Sequence, residues 1–220
     1  LVRAVDSLQV PATVQSILAA RIDRLDPEDK RLLQAAAVIG THVPFAVLMV
    51  VAGIDEDSLR RGVARLQAAE FVYEARLFPE LEFAFKHALT HEVAYGGVLQ
   101  ERRQELHRVA VEAIERIYSD RLAEQVERLA HHALHGRLPK AVRYLREAGS
   151  KAVSRSANRE AFAYLEQALK ILEALPQDEQ NPGERLKILM ALGQALIGLK
   201  GAQPREVETT YRAALELIDK

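Results

Sequence analysis

The order of apolar and polar residues divides the chain near residue 98. Before that point, short stretches of helical period lead into two runs that alternate like strands; after it the period is helical almost throughout. Val10-Pro11-Ala12-Thr13 opens a helix to about Leu25, with Val14, Ile17, Leu18, Ile22 and Leu25 on one stripe. Asp26-Pro27-Glu28 starts a second helix: Asp caps well, Pro suits the first turn, and acids favour the positive helix end. Leu32, Leu33, Ala36 and Ile39 give that helix one apolar face, and Gly40 stops it. Thr41-His42-Val43-Pro44 begins a short apolar helix, Phe45 to Ala52, which ends at Gly53. Asp55-Glu56-Asp57 caps another, with Leu59, Val63 and Leu66 facing inward. Phe71 to Arg76 and Leu81 to Phe85 are aromatic-rich and alternating, and Leu77-Phe78-Pro79-Glu80 separates them, which predicts a β-hairpin. Three helices followed by a two-stranded wing is the layout of a winged helix.

From Leu99 onward helix follows helix. Leu99 to Tyr118 carries Leu106, Val109, Ala110, Ala113 and Ile117 on its apolar face. Leu122 to His135 places Leu122, Val126, Leu129, Ala130 and Ala133 inward and stops at Gly136. Pro139 starts a helix to about Ser154, and Asn158 caps one to Leu175. The loop-like Pro176 to Gly183 separates these from two more helices, about Glu184 to Leu199 and Pro204 to Ile218. A pattern of small and large residues recurs in them. Leu145-x-x-Ala148-Gly149-x-x-Ala152 precedes Ala161-x-x-x-Leu165-x-x-Ala168, and Leu192-Gly193-x-x-Leu196 precedes Val207-x-x-x-Tyr211-x-x-Ala214. Small residues at such positions let paired helices approach while the large ones fill the groove between them. The pattern resembles the tetratricopeptide (TPR) repeat, although it has no Trp and its last unit has a longer turn, Lys200 to Pro204. A TPR surface implies protein or peptide binding. The predicted fold is therefore mainly α: a winged helix followed by a TPR-like array of helical hairpins.

Composition narrows the functions open to such a chain. With 30 basic and 31 acidic side chains the net charge is −1, so no global field recruits nucleic acid or an anionic membrane. No cysteine is present, which removes disulfides, thiolate metal sites and cysteine nucleophiles and fits a cytoplasmic protein. No run approaches the roughly 20 apolar residues of a membrane span. There is no G-x-x-x-x-G-K-[ST] and no G-x-S-x-G, and the carboxylates fit caps and i,i+4 pairs such as Glu166 with Lys170. The first residues, LVRAVDSLQVPATVQ, read as the middle of a longer protein, and no active site is expected in this piece.

Two histidine groups and one arginine group remain as candidate chemistry. His91-Glu92-Val93-Ala94-Tyr95 is one residue short of the H-E-x-x-H zinc helix, with Tyr95 in place of the second histidine. On a helix starting near His87, residues 87, 91 and 95 share a stripe, Leu89 and Val93 lie nearly opposite, and Glu92 points away from His91. The pattern favours packing over metal binding. Glu127, His131 and His135 form a second stripe with His132 beside it, opposite the apolar face of their helix, which makes it a solvated face or a groove facing a partner. Arg60, Arg61 and Arg65 lie on the helix where a DNA-binding winged helix would read bases. Asp55, Glu56 and Asp57 at its leading end and the Leu77-Phe78-Pro79-Glu80 wing tip oppose that use.

VPATVQSILAARIDRL, FKHALTHEVAYGGVL, ERRQELHRVAVEAIE and KAVRYLREAGSKAVSRSANREAFAYLEQALKIL together resemble the C-terminal half of STAND signalling ATPases. The variety most similar is the bacterial group associated with adenylate/guanylate cyclase domains. The resemblance implies a linker helix (residues 1–26), a winged helix (27–97) that packs on a preceding nucleotide-binding domain, and a TPR-like partner-binding array (98–220). ATP or ADP with Mg belongs, on this resemblance, to the rest of the parent protein. In that family a histidine just after the wing can touch the β-phosphate of ADP. His87 matches it by position, with Leu89 following, while Lys86 and Ala88 depart from the Met and Asp of that motif. A histidine at a helix N-terminus suits a phosphate physically; a purely structural histidine is the competing reading. The expectation is a non-catalytic regulatory fragment that couples nucleotide state to partner binding. The alternative is a DNA-binding winged-helix regulator with a helical effector domain.

Overall fold

The computed structural model describes residues 12–176 and 180–218. The sequence expectations for residues 1–11, including the start of the first helix at Val10, lie outside them. The chain forms two compact units, residues 1–113 and 114–220, and the division falls within a helix. Among the described residues, no helix is long and apolar enough to cross a membrane.

The first unit is built around one helix. Helix α1 (Ala12–Asp23) precedes α2 (Pro27–Ile39), a short strand β1 (His42–Pro44), α3 (Phe45–Ala52), α4 (Glu56–Ala68), strands β2 (Val72–Arg76) and β3 (Glu82–Phe85), α5 (Ala88–Gly96) and the start of α6 (Gln100–Ile117). Sequence periodicity gives α2 a single apolar face, but Ala35, Ala36, Ala37, Val38 and Ile39 are all buried. The run of small residues explains this: α3, α4 and α5 pack against α2 together, so its C-terminal half has no solvent side. The first stripe is corrected too. Ile22 is buried, yet Val14 and Ile17 of α1 face solvent.

The sheet has one more strand than the sequence pattern announces. β1 pairs antiparallel with β3 (Val43 opposite Phe83) and β3 pairs with β2 (Tyr73 opposite Ala84), giving the order β1-β3-β2. Three residues ending in proline carry too little alternation to read as a strand. Pro44 is tolerated because β1 is an edge strand, where a missing N–H does not interrupt the ladder. β3, in the centre, buries Phe83, Ala84 and Phe85, while β2 is exposed beyond Val72. Helix, strand, two helices and a hairpin whose last strand lies between the other two is the winged-helix topology. Gly53 ends α3 at φ 68°, the left-handed conformation that glycine adopts without a Cβ penalty. α4 then starts under Asp55, whose carboxylate accepts the Ser58 N–H at 2.9 Å.

In the second unit the elements pack in order. A 3₁₀ turn (Leu122–Glu124) precedes α7 (Val126–His135), α8 (Ala141–Ser154), α9 (Asn158–Ala174), α10 (Pro182–Lys200) and α11 (Arg205–Ile218). The single helix expected from Leu122 is thus broken at Gln125, which joins the turn to α7. α7 packs on α8, α8 on α9, α9 on α10 and α10 on α11, and α8 also reaches α10. The recurring small-and-large pattern locks each hairpin. A Cβ on Gly149 would stand 2.5 Å from Leu165 Cγ, and one on Gly193 would stand 2.5 Å from Tyr211 Cζ, so any larger residue there must displace its partner. Asn158 is not the cap of α9 but its first residue, with Ala157 at the cap. Its amide lies against Gly198, where a Cβ would come within 2.2 Å of it. α7 stops at Gly136 as the sequence predicts, and the next residue, Arg137, takes the left-handed conformation (φ 51°) while Leu138 N–H closes the end on the Ala133 carbonyl.

Candidate functional site

The stretch after the wing is set by the change from β3 to α5. His87 is the N-cap of α5, with extended backbone (φ −138°, ψ 137°) and an exposed ring that does not bond its own helix end. Its carbonyl accepts the Thr90 N–H at 3.0 Å, which closes the first turn. Beside it Lys86 Nζ donates to Glu70 Oε1 at 2.7 Å, and that hydrogen bond with the lysine charge lowers the Glu70 pKa. Arg21 and His87 add smaller contributions in the same direction. Arg21 is held in place by donating to the Ala69 carbonyl (3.0 Å) and by lying over the Phe71 ring. The N-terminus of α5 therefore stands among cationic groups, with one carboxylate facing them.

The other two members of the sequence stripe turn inward. His91 Nε2 lies 2.9 Å from the Ala37 carbonyl, which only accepts, so this nitrogen carries the proton. The His91 ring packs edge-on against Phe85 and stacks with Tyr95, whose hydroxyl bonds His107 Nε2 at 3.1 Å. Arg103 covers the outer face of Tyr95 at 4.3 Å. This ladder fastens α5 to α2 and α6, and His87 stands outside it. The stripe that aligned residues 87, 91 and 95 thus separates into one exposed histidine and two packing rings.

The second histidine group is also divided. His131 and His135 are exposed with ring centres 4.5 Å apart, but His132 is buried and Glu127 is engaged by α8. Lys151 Nζ and Arg155 Nη2 each donate to Glu127 at 2.8 Å. Of the stripe that spacing gave as a solvated face or a groove facing a partner, the two histidines are exposed, while Glu127 instead holds α7 to α8.

The three arginines of α4 all have partners within the first unit. Arg60 donates twice to Glu56 Oε1 (2.9 and 2.6 Å) and lies over Phe45, and Arg61 donates to Ser58 Oγ at 3.0 Å. Arg65 makes a two-pronged pair with Asp29 of α2, at 2.7 and 2.6 Å, although Asp29 is only 4 % exposed. Sequence reasoning missed this pair because Asp29 reads as one more acid in a first helical turn. A weak signal was present in Gly62. A Cβ there would stand 2.6 Å from Leu32 Cδ2, so glycine brings α4 close enough to α2 for Arg65, one turn on, to reach Asp29.

No protein-family model matches the chain. It is 30 % identical over 211 residues to an uncharacterized protein of Rhizobium meliloti. That alignment takes in 92 % of this chain and 20 % of the relative, so the chain spans about one-fifth of the relative's length.

Proposed function

We propose that this chain is the non-catalytic regulatory and interaction part of a cytoplasmic multidomain signalling ATPase of the STAND type. In this reading the winged helix reports the nucleotide state of a preceding nucleotide-binding domain, and the helical hairpins bind a protein or peptide partner. The switch is a change of domain packing rather than a reaction within these residues. The observation that carries the reading is the placement of His87. It offers a ring donor at the open N-terminus of α5, beside Lys86, where partial positive charge and free backbone N–H groups suit a phosphate. The pairing of Arg60 with Glu56 and of Arg65 with Asp29 supports this reading over DNA recognition, because neither meets a phosphate without giving up its carboxylate.

The test is ADP affinity of the full-length parent protein carrying His87→Ala. Loss of one hydrogen bond to a charged phosphate is expected to weaken ADP about tenfold or more and to raise basal activity. Unchanged affinity and activity would remove His87 from the nucleotide site.

A further inference from the structure

The first unit holds a cavity of about 510 Å³ between α2, the end of α3, α4 and the first turns of α6. That volume lies in the range of ordinary small-molecule pockets. Leu32 of α2, Val51 of α3, Val98 and Leu106 of α6 give it an apolar floor, and all four are buried. The walls come from separate segments of the same unit, so this is a concave site and not an open face.

The polar side chains of the lining fall into two groups. Asp29 and Arg65 satisfy each other, Gln34 donates to the Gly97 carbonyl at 3.2 Å, and Ser58 accepts from Arg61 at 3.0 Å. Glu28, Arg31 and Arg102 are the remainder, and among the described residues no hydrogen bond or salt bridge engages them. All three are exposed, which puts them at the opening above the apolar floor. Glu28 and Arg31 stand one turn apart on one face of α2, and Arg102 reaches the opening from α6. One such charge alone would be an ordinary surface residue. Two cations and one anion gathered over an apolar cavity specify a ligand by their sum.

A fatty acid or other plain carboxylate would answer the guanidiniums but set its charge beside Glu28. A plain amine would answer Glu28 and leave both arginines without an anion. From this charge set we infer that the cavity binds a free α-amino acid with an apolar side chain. Its carboxylate accepts from Arg31 and Arg102, whose planar forks suit a carboxylate. Its ammonium donates to Glu28, and its side chain lies on Leu32, Val51, Val98 and Leu106. The ligand joins α2 to α6, so occupancy stabilises the unit built on α2. This effector site goes beyond the nucleotide reading and does not depend on it.

The probes are L-phenylalanine and L-leucine, each titrated calorimetrically into the 220-residue chain. Saturable binding of at least one is expected, with a rise in the first unit's melting temperature that grows with ligand concentration. The deaminated acid and the decarboxylated amine of the binding probe should each bind about tenfold or more weaker. Arg102→Ala and Glu28→Gln change exposed side chains and should each weaken the amino acid about tenfold while far-UV circular dichroism stays unchanged. Ala52→Trp places a ring in the cavity from the end of α3 and should abolish binding. Failure of both amino acids to bind overturns the site. Equal affinity for the deaminated acid removes Glu28 from it and overturns the amino-acid assignment. Binding indifferent to both Arg102→Ala and Ala52→Trp places the ligand elsewhere and overturns the cavity. The titrations contain no nucleotide, so their failure is distinguishable from failure of the His87 experiment.

Discussion

In the first unit residues far apart in sequence meet on one helix: Asp29 of α2 takes Arg65, Leu32 receives the glycine face of α4, and the Ala37 carbonyl accepts from His91. In the second unit the contacts run from each helix to its successor, with α8 also reaching α10. The first arrangement is a single cooperative core, in which a fault at α2 is felt by every element packed on it. The second is close to a one-dimensional stack whose stability is a sum of neighbour terms, so a fault is local and graded.

The comparison is broken most severely at Arg65. Arg65→Met leaves the buried Asp29 carboxylate without its two-pronged partner, and an orphaned buried charge is strongly destabilising. Thermal unfolding followed by circular dichroism should show the first unit's transition shifted far down and the second unit's nearly in place. Replacing both partners, Asp29→Leu with Arg65→Met, should restore much of the loss, because the cost comes from the orphaned charge. Equal shifts in both transitions would mean that the units do not melt separately and that the contrast drawn above is wrong.

Local chemistry explains which parts of this architecture were legible in the sequence. The helices bounded by strong signals, such as Pro27 with Gly40 or Asp55 with its three-acid turn, stand where periodicity placed them, and so does the aromatic hairpin. β1 was hidden because three residues cannot show a period, and α2 looked one-sided because small residues carry little hydrophobic signal even when fully buried. The last helical residues His135 and Ser154 stand where the sequence places them, but the left-handed closures at Arg137 and Ser156 were hidden, since both adopt that conformation without glycine. For the candidate site, spacing identified His87 as the start of α5 but could not separate it from His91 and Tyr95. Only the position of Ala37, 54 residues earlier, decides that His91 faces inward. Pairing over such distances is not encoded in any short window.

Within the stack the two hairpins offer a sharper, smaller contrast. Gly149→Ala sets a methyl group against Leu165, which is fully buried and hemmed in by α8 and α10, so overpacking by about 2 kcal/mol should outweigh the gain in helix propensity. Gly193→Ala meets Tyr211, which is half-buried on a helix with an open face and has room to swing aside. Its net effect should lie within about 1 kcal/mol of zero, because the propensity gain offsets the displaced ring. Urea denaturation of the two variants side by side measures the difference. Equal losses would show that the Tyr211 ring is as confined as the Leu165 side chain.

The smallest effect concerns the tie between α7 and α8. Partial burial pushes the Glu127 pKa up, but the Lys151 hydrogen bond, helped by the charges of Lys151 and Arg155, outweighs it and lowers the carboxyl below the usual glutamate value. A carboxylate depressed in the folded state stabilises above its unfolded pKa and loses that contribution as the pH falls through its lowered folded value. Glu127→Gln should therefore be slightly less stable than the native chain at neutral pH, and the gap should close on acidification below the ordinary glutamate range. Added salt should narrow the gap at neutral pH as well, since half the pair is solvent-facing. Lys151 also donates to the Ala123 and Glu124 carbonyls, at 2.9 and 3.3 Å, so the lysine stays anchored when the carboxylate is neutralised. That is why the expected loss is a weakening of α7 on α8 and not their separation. A gap that persists unchanged into acid would place the stabilisation in the packing of the Glu127 side chain rather than in its charge.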